Sequence, residues 1–472
     1  MPAQRLRRAL LWPHEFEYLR YSMIWRRGMI FMSPFMSARR KASGRVLPWL
    51  FLAYVVAFLD RTNINYAALT MNEELGFTAE IFGLGAGLFA IGYWLLEIPG
   101  AILAERWNAK LWIVRIMITW GIVGMLFAFV QAPWQFYLLR FLLGLAEAGF
   151  VPAALVMLGH WFPERDRAQA VSWFYIGLPV SQVIGGPLAS WLLGVKWLGL
   201  SGWKWLFIVE GAMAVVLGLL MLLFLTNRPE DARWLSEEEK RALREQLEAE
   251  RRAKAGAGHG SWALALRDSI VWRVAISMFL LGIGFYGFNY FVASITKQIS
   301  GLTNASVGWL LVIPFSLAAI TMYLNGRHSD ATGERRWHTV LSWFVGGLGL
   351  LLLAYGPHHH PAWLLVWLSI AAVGLNAYFG AFWAIPQTFL SGVVAASGIG
   401  LINMIGNIGG FVGPYVTGAI RDRAGSFDLA ILLWVIALVL AAALILSLPK
   451  EKSVPKEKSS TKEKSSTAET KS

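Results

Sequence analysis

The sequence predicts an all-α integral membrane protein, with twelve transmembrane helices arranged as two pseudo-symmetric six-helix bundles. Of its 472 residues, 56% are hydrophobic and only 15% are charged, and the mean hydropathy is +0.52; this composition indicates a polytopic membrane protein. Twelve apolar windows supply the roughly 20 residues that each crossing needs. They lie near residues 46–70, 80–104, 111–130, 134–159, 168–194, 204–226, 271–297, 304–325, 337–355, 362–389, 395–420 and 428–448.

The second half of the chain repeats landmarks of the first. The link ERWNAKLW after the second window and the link DATGERRW after the eighth share a pattern of acid, base and tryptophan at a constant separation of 225 residues, from 105 to 330. A Gly-Pro pair at 186–187 recurs at 413–414, so that its proline moves by 227 residues, from 187 to 414. Two landmarks at nearly one separation predict a duplicated six-helix unit, in which transporters place the substrate between the halves.

Polar segments divide the chain into five predicted parts. These are a basic N-terminal extension (1–45), a first six-helix bundle (46–227), a linker (228–270), a second six-helix bundle (271–449) and a disordered Lys/Ser-rich tail (450–472). No structure is expected in the extension, and whether the native protein includes residues 1–35 is left open because Met36 offers another start. In the linker, SEEEKRALREQLEAERR is predicted to form a solvated helix, and AGAGHG a flexible join.

Charge asymmetry predicts the orientation in the membrane. Ten Lys and Arg against two acids precede the first window, whereas the link after it carries three acids and no base. Basic residues stay on the cytoplasmic side, so the N-terminus is predicted to be cytoplasmic, and an even number of spans returns the tail there. The net charge of +13 is therefore explained by contact with a lipid bilayer and not by binding of nucleic acid. The predicted location is the cell (inner or plasma) membrane, which the chain crosses several times.

Five segments spread over most of the chain resemble the major facilitator superfamily and, within it, the anion:cation symporter family. They are FLDRTNINYA, RFLLGLAEAGFVPA, GWKWLFIVEG, FWAIPQTFLSG and GLINMIGNIGGFVGP. The two links also resemble the superfamily's loop signature, with Asn108 in place of its first glycine, where asparagine is expected to make the same left-handed turn. The resemblance implies the major facilitator fold and proton-coupled uptake of an organic anion, such as tartrate, a sugar acid or phthalate. It also implies alternating access by a monomer, with no cofactor other than the coupling protons.

Four ionisable residues inside spans are the leading site candidates. Each costs roughly 2.5–3.5 kcal/mol at the centre of a lone helix, so they are expected to face a cavity and to find partners there. Arg140 and Glu147 are seven residues apart and share a helix face. Arg61 is predicted to clamp a carboxylate, because its guanidinium matches carboxylate geometry and stays charged when buried. Asp60 and Glu147 are predicted proton carriers, because burial favours the protonated carboxyl and a nearby arginine opposes it.

The family resemblance implies further roles. Asp60 and Glu147 match coupling acids of galactonate transporters in that family, Arg61 and Arg140 match their charged partners, and Tyr93, Trp383 and Asn403 match substrate-site positions. Arg140 could instead brace Asp60 or its own helix end. Weaker candidates, chosen on depth alone, are Gln182, Tyr286, Asn289 and Asn407. The link residues Glu105, Lys110, Asp330 and Arg335 are predicted to latch helix ends during rocking. Glu97 and Glu210 are expected to cap helices or to bond between helices.

Other function classes receive less support from the sequence. The absence of cysteine excludes disulfides, thiolate metal sites and cysteine nucleophiles. No Walker pattern accompanies the glycine-rich GNIGGFVGP, which is typical of close helix packing, and no metal is expected at the three histidines 358–360. An enzyme is not predicted, because no nucleophile–base set or cofactor motif lies among the spans. Export or exchange of the anion, or a membrane sensor that binds it without moving it, remain alternatives.

Overall fold

The computed structural model describes residues 33–254, 266–357, 361–389 and 392–449. Within these residues there are sixteen α-helices, of which fifteen build twelve segments that are long and apolar enough to cross a membrane. The predicted all-α membrane fold is therefore confirmed. The AGAGHG join, the three histidines 358–360, the tail at 450–472 and most of the basic extension lie outside the described residues.

The first half contains eight helices that make six spans. They are α1 (Pro34–Leu75), α2 (Ala79–Arg106), α3 (Ala109–Leu126), α4 (Pro133–Glu147), α5 (Phe150–Trp161), α6 (Glu164–Tyr175), α7 (Gly177–Leu193) and α8 (Gly202–Phe224). The fourth span is broken between α4 and α5, and the fifth between α6 and α7. The break in the fourth span lies at Gly149, whose φ of 83° is a left-handed conformation that favours glycine.

The linker helix and the second half follow. The linker helix is α9 (Glu237–Lys254), and the second half contains α10 (Ser269–Ser300), α11 (Asn304–Thr332), α12 (Arg336–Tyr355), α13 (Pro361–Ala377), α14 (Phe379–Phe389), α15 (Gly392–Ala424) and α16 (Asp428–Leu446). The tenth span is broken at Tyr378, between α13 and α14, whereas Pro386 lies inside α14.

Helix α1 begins at Pro34, well before the predicted start of the first span at residue 46. Ser33 caps it by accepting a hydrogen bond from the backbone N–H of Met36, and proline suits the first helical position. The added turns dock on α9, where Lys41 Nζ lies 2.8 and 2.9 Å from the two carboxylate oxygens of Glu239 and Ser37 Oγ lies 2.5 Å from one of them. The basic extension therefore contributes the start of a helix, which the sequence analysis did not expect.

The two halves meet most closely on the side where α1 ends, which we call the far face; the side that carries α9 is the linker face. A Cβ added to Gly83 on α2 would lie 2.2 Å from the carbonyl oxygen of Pro414 on α15, and one added to Gly186 on α7 would lie 2.4 Å from that of Gly308 on α11. Such backbone contact requires glycine, as in other membrane helix interfaces.

Polar contacts strengthen the far face. The carboxylate of Asp422, near the end of α15, accepts hydrogen bonds from the backbone N–H groups of Ala79 and Glu80 at the start of α2, at 3.0 and 2.7 Å. Lys297 Nζ on α10 donates to the carbonyl oxygen of Leu69 on α1 at 3.1 Å. Among the described residues, no hydrogen bond or ion pair joins the halves nearer the linker face than Glu97.

The substitution Gly83→Ala is expected to loosen the far face, because the new methyl group must displace the backbone at Pro414. Overpacking of this kind costs about 1–3 kcal/mol, which shifts the population of separated halves by about 5- to 150-fold. Spin labels on the exposed positions Glu73→Cys and Arg423→Cys in the cysteine-free chain measure the separation by pulsed electron resonance. In the control Gly326→Ala, where the methyl group meets open space, the distance distribution is expected to stay unchanged.

The docking of α9 on α1 is expected to depend on Glu239. Burial works to raise the pKa of Glu239, but hydrogen bonds from Lys41, Ser37 and the Ser236 backbone outweigh it and lower the pKa to about 2. Because the folded-state pKa is depressed, this contribution is present above the ordinary pKa of about 4.5 and is lost as the pH falls toward 2.

Glu239→Gln is therefore expected to accelerate amide hydrogen exchange in α9 about tenfold at neutral pH, the effect of losing one hydrogen bond to a charged group. The wild-type helix is expected to approach the same rate only in acid, after correction for intrinsic exchange. Equal protection of the two proteins at neutral pH would contradict this role, and Glu245→Gln on the exposed side of α9 is the matched control.

Candidate functional site

An ion pair between the first and fourth spans forms the centre of the candidate site. Arg61 Nε on α1 lies 2.7 Å from Glu147 Oε2, at the last position of α4. The Glu147 side chain is 1% exposed and that of Arg61 is 21% exposed. The pair therefore seals the acid inside the first half and leaves one edge of the guanidinium open to solvent.

The break in the fourth span lets α2 come close to this pair. A Cβ added to Gly149 would lie 2.9 Å from the Cα of Gly100 on α2, so the two backbones touch there. A Cβ on Gly144, one turn before the break, would lie 2.2 Å from the carbonyl oxygen of Phe89. Glycines on α4 and after it thus bring the aromatic face of α2 against the ion pair.

Aromatic rings surround the Arg61 guanidinium. Its central carbon lies 4.7 Å from the ring centroid of Tyr93, 5.1 Å from that of Phe58 and 5.4 Å from that of Phe89. Cations gain electrostatic stabilisation over such ring faces. The rings hold the guanidinium in place without neutralising its charge, and a second ligand can therefore still bind its open edge.

Asp60 lies behind this pair, inside the first half. It is 1% exposed, its Oδ1 accepts a 3.3 Å hydrogen bond from Asn63 Nδ2, and a Cβ on Gly124 of α3 would lie 3.3 Å from the same oxygen. Glu210 on α8 lies within electrostatic reach of Asp60. We call Asp60, Asn63 and Glu210 the inner acid cluster; each has one buried oxygen for which the described residues provide no hydrogen-bond partner.

Arg140 lies within electrostatic reach of both predicted proton carriers, but its hydrogen bonds among the described residues go to other groups. Its guanidinium donates to the carbonyl oxygens of Gly85 and Ala86 on α2 at 3.3 and 3.5 Å, and to the Tyr290 hydroxyl on α10 at 3.3 Å. The side chain is almost fully buried. Arg140 thus shares a helix with Glu147 but joins the two halves nearer the far face, and its hydrogen bonds among the described residues include neither Asp60 nor its own helix end.

Asn403 and Asn407, both on α15, contact an acid of the opposite half. Asn403 Nδ2 donates to Glu97 Oε1 at 3.1 Å, and Asn407 Nδ2 donates to Glu97 Oε2 at 3.4 Å. The sequence analysis expected Glu97 to cap a helix or bond between helices, but gave it no place in the site. Its spacing of four residues after Tyr93, which puts both on one face of α2, is the signal that could have included it.

The remaining candidates differ in their surroundings. Tyr286 packs beside Gly410 and lies within electrostatic reach of Arg61, Tyr93 and Glu97. Asn289 donates to the Phe285 carbonyl oxygen of its own helix at 2.8 Å. Gln182 and Trp383 are partly exposed, and no hydrogen bond of either side chain lies among the described residues. The structure therefore groups Arg61, Glu147, Tyr93, Tyr286, Glu97, Asn403 and Asn407 most closely.

The predicted latch differs between the two links. In the second link, Arg335 Nη1 lies 2.5 Å from Asp330 Oδ1 and donates to Ser329 Oγ at 3.0 Å. In the first link, Glu105 is exposed, and the described residues provide no ion pair for it or for Lys110. The expected left-handed turn at Asn108 is also wrong. Asn108 has an extended φ of −155° and caps α3 through its side chain, whereas Gly333 has a φ of 71°.

Comparison with known proteins adds independent information. The profile of the Major Facilitator Superfamily matches residues 50–414 and 297–471. A protein of Agrobacterium vitis named "Putative tartrate transporter" is 44% identical over 82% of this chain and 89% of its own. The "Quinolone resistance transporter" of Acinetobacter baumannii is 35% identical over 85% of this chain and 92% of its own. A bacterial homologue of the human lysosomal transporter Spinster, solved in an inward-facing and unoccupied conformation, aligns with a TM-score of 0.71 at 20% identity, over 86% of this chain and 96% of its own.

Acid-to-amide substitutions are expected to distinguish, by their effect on stability, the ion-paired carboxyl of Glu147 from the carboxyl of Glu210. Glu147→Gln removes a charge from the Arg61 pair and should cost about 2 kcal/mol or more of stability, because a buried guanidinium loses its anion. Glu210→Gln is expected to cost less than about 1 kcal/mol, since no ion pair of Glu210 lies among the described residues. Thermal unfolding of the purified variants in detergent compares them, and a larger loss for Glu210→Gln than for Glu147→Gln would contradict this assignment.

Proposed function

The chain belongs to the Major Facilitator Superfamily, and from that premise we propose that it carries an organic anion across the membrane in symport with protons, by alternating access. It is a multi-pass membrane protein of twelve spans. Its superfamily consists of transporters, and its relatives are named as transporters. This fits a protein that moves a small molecule and is not an enzyme. The anion, the proton coupling and the direction of transport belong to the proposal.

The ion pair between Arg61 and Glu147 is the observation that carries the proposal. Arg61 is a carboxylate binder that already holds a carboxylate, at 2.7 Å. A substrate carboxylate competes with Glu147 for the same guanidinium. When Glu147 is protonated it releases Arg61, so a proton on Glu147 and an anion on Arg61 favour each other's binding. Reciprocal coupling of this kind is what symport requires.

The inner acid cluster supplies a second place for a proton. Asp60, Glu147 and Glu210 face two cations, Arg61 and Arg140, within the first half. Full ionisation would leave one uncompensated negative charge in a setting where an unpaired charge is costly. A proton held at Asp60 restores neutrality, and its release would leave Asp60 dependent on a movement of Arg61 or Arg140. We therefore retain Asp60 and Glu147 as the proposed proton carriers.

The remaining candidates are proposed to line the path between the halves. Tyr93, Trp383 and Asn403 are proposed to contact the anion, with Gln182, Tyr286, Asn289 and Asn407 as further contacts. The similarity to the Agrobacterium vitis protein supports tartrate as a first compound to test. Asp330 and Arg335 pair at the linker face and are proposed to act as a latch there; Glu105 and Lys110 would join them only after a rearrangement.

The proposed orientation places the linker face and both termini in the cytoplasm of a cell membrane, with the monomer as the working unit. Contacts between the halves are concentrated at the far face, so this conformation would open to the cytoplasm. Export of a carboxylate-bearing compound is a second candidate function, because the Acinetobacter baumannii relative is named for quinolone resistance.

The test measures internal pH in proteoliposomes that carry the purified chain, while tartrate, glucarate, galactonate and phthalate are added outside in turn. Compound-specific acidification of the lumen is expected for proton symport. Uptake without acidification would replace symport by exchange or uniport. Binding of a compound without any movement would favour the sensor, and outward drug movement alone would favour export.

Two variants sharpen this test. Arg61→Ala is expected to lower uptake by at least a hundredfold, because a clamp on a charged group is lost. Asp60→Asn is expected to abolish acidification while radiolabelled substrate still exchanges across the membrane. Size-exclusion profiles and ligand-free thermal unfolding identify any variant that has lost its fold, and Glu73→Gln, an exposed position at the end of α1, is the matched control. Wild-type rates in Arg61→Ala would overturn the assignment of the clamp.

A further inference from the structure

Glu97 places a negative charge where an anion is proposed to bind. Its carboxylate projects from α2 one turn after Tyr93 and is bound by the amides of Asn403 and Asn407, at 3.1 and 3.4 Å. Both partners are neutral, and no ion pair of Glu97 is present among the described residues. The charge on Glu97 is therefore solvated by amide dipoles, with no cation in direct contact within the described part of the chain.

The charge on Glu97 acts on any anion that enters the proposed site. The nearby guanidinium of Arg61 is already paired with Glu147, so it attracts Glu97 only at longer range. Two carboxylates a few ångströms apart repel each other, more strongly in a partly desolvated cavity than in water. A ligand that turned a second carboxylate or a hydrocarbon surface toward Glu97 would lose binding free energy there.

Glu97 nevertheless retains unused hydrogen-bonding capacity. An ionised carboxylate has about four lone-pair positions, and each of its oxygens accepts one hydrogen bond from an asparagine. The residue is partly exposed, so the remaining positions can accept hydrogen bonds without breaking those to the asparagines. Hydroxyl groups are the donors that an organic acid can offer while it remains an anion.

We propose, on the basis of the anion transport set out above, that Glu97 is a specificity-determining residue that accepts hydrogen bonds from hydroxyl groups of the bound anion. The cavity then selects hydroxylated carboxylic acids over acids of the same carbon skeleton that lack hydroxyls. Loss of one hydrogen bond to a charged group corresponds to a preference of about 10- to 100-fold in apparent affinity.

Matched pairs of acids test this selection in the purified full-length chain. Tartrate is compared with succinate, and galactonate with hexanoate, by the concentration of each that half-saturates the ligand-induced rise in thermal stability. In the wild-type protein the hydroxylated member of each binding pair is expected to bind at least tenfold more tightly. In Glu97→Gln, which keeps the side-chain length and removes the charge, the ratio is expected to fall to within about threefold, because the hydroxylated acid loses its hydrogen bond to a charged group and the unhydroxylated acid no longer faces a carboxylate.

Glu73→Gln is the control for an acid-to-amide change on the neighbouring helix and is expected to keep the wild-type ratio. Equal affinities within the pairs for the wild-type chain, or an unchanged ratio in Glu97→Gln, would overturn the inference and leave anion transport standing. If Glu97→Gln does not fold, the ratio of affinities in the wild-type chain alone decides whether the site selects hydroxylated acids. A failure of every acid in the panel to bind would overturn the proposed transport function, and the role of Glu97 with it.

Discussion

The buried ion pair between Arg61 and Glu147 is the interaction around which the first half is built. Two opposite charges in the middle of an apolar bundle are tolerated only when each satisfies the other. Several features that look unrelated in the chain serve this one contact: the break of the fourth span just after Glu147, the close approach of α2 at Gly149, and the three rings around the guanidinium. The open edge of Arg61 is what remains for a ligand.

The other buried charges are also stabilised by specific neighbouring groups. Arg140 is stabilised by backbone carbonyl oxygens and a tyrosine hydroxyl, so it links the halves without forming an ion pair among the described residues, while its charge still acts on the buried acids. Asp60 is hydrogen-bonded to Asn63 and lies near Glu210, and neither acid has a cation as a direct partner in the part of the chain that the structure describes. The site therefore combines one satisfied pair, one arginine held by dipoles and one pair of acids that need a proton, which is an arrangement able to respond to proton binding.

Much of this could be predicted from the sequence because membranes impose a simple rule. Apolar windows give the spans, and the cost of ionisable groups inside them singles out Asp60, Arg61, Arg140 and Glu147. Partner choice is harder to predict, since the competing acceptors of Arg140 are backbone carbonyl oxygens that no residue pattern reveals. Glu97 was undervalued for a similar reason: its amide partners lie more than 300 positions away. At Asn108, capping of α3 prevailed over the left-handed turn expected from a glycine position.

Helix α1 runs without interruption for 42 residues, a rod of about 60 Å. One end is fastened to α9 through Glu239, the middle carries Asp60 and Arg61, and the other end lies against α10 through Leu69. Pro48 is the internal position that lacks a backbone N–H. Because α1 is one continuous helix, a change in its tilt would move the docking site of α9, the central charges and the contact with α10 together.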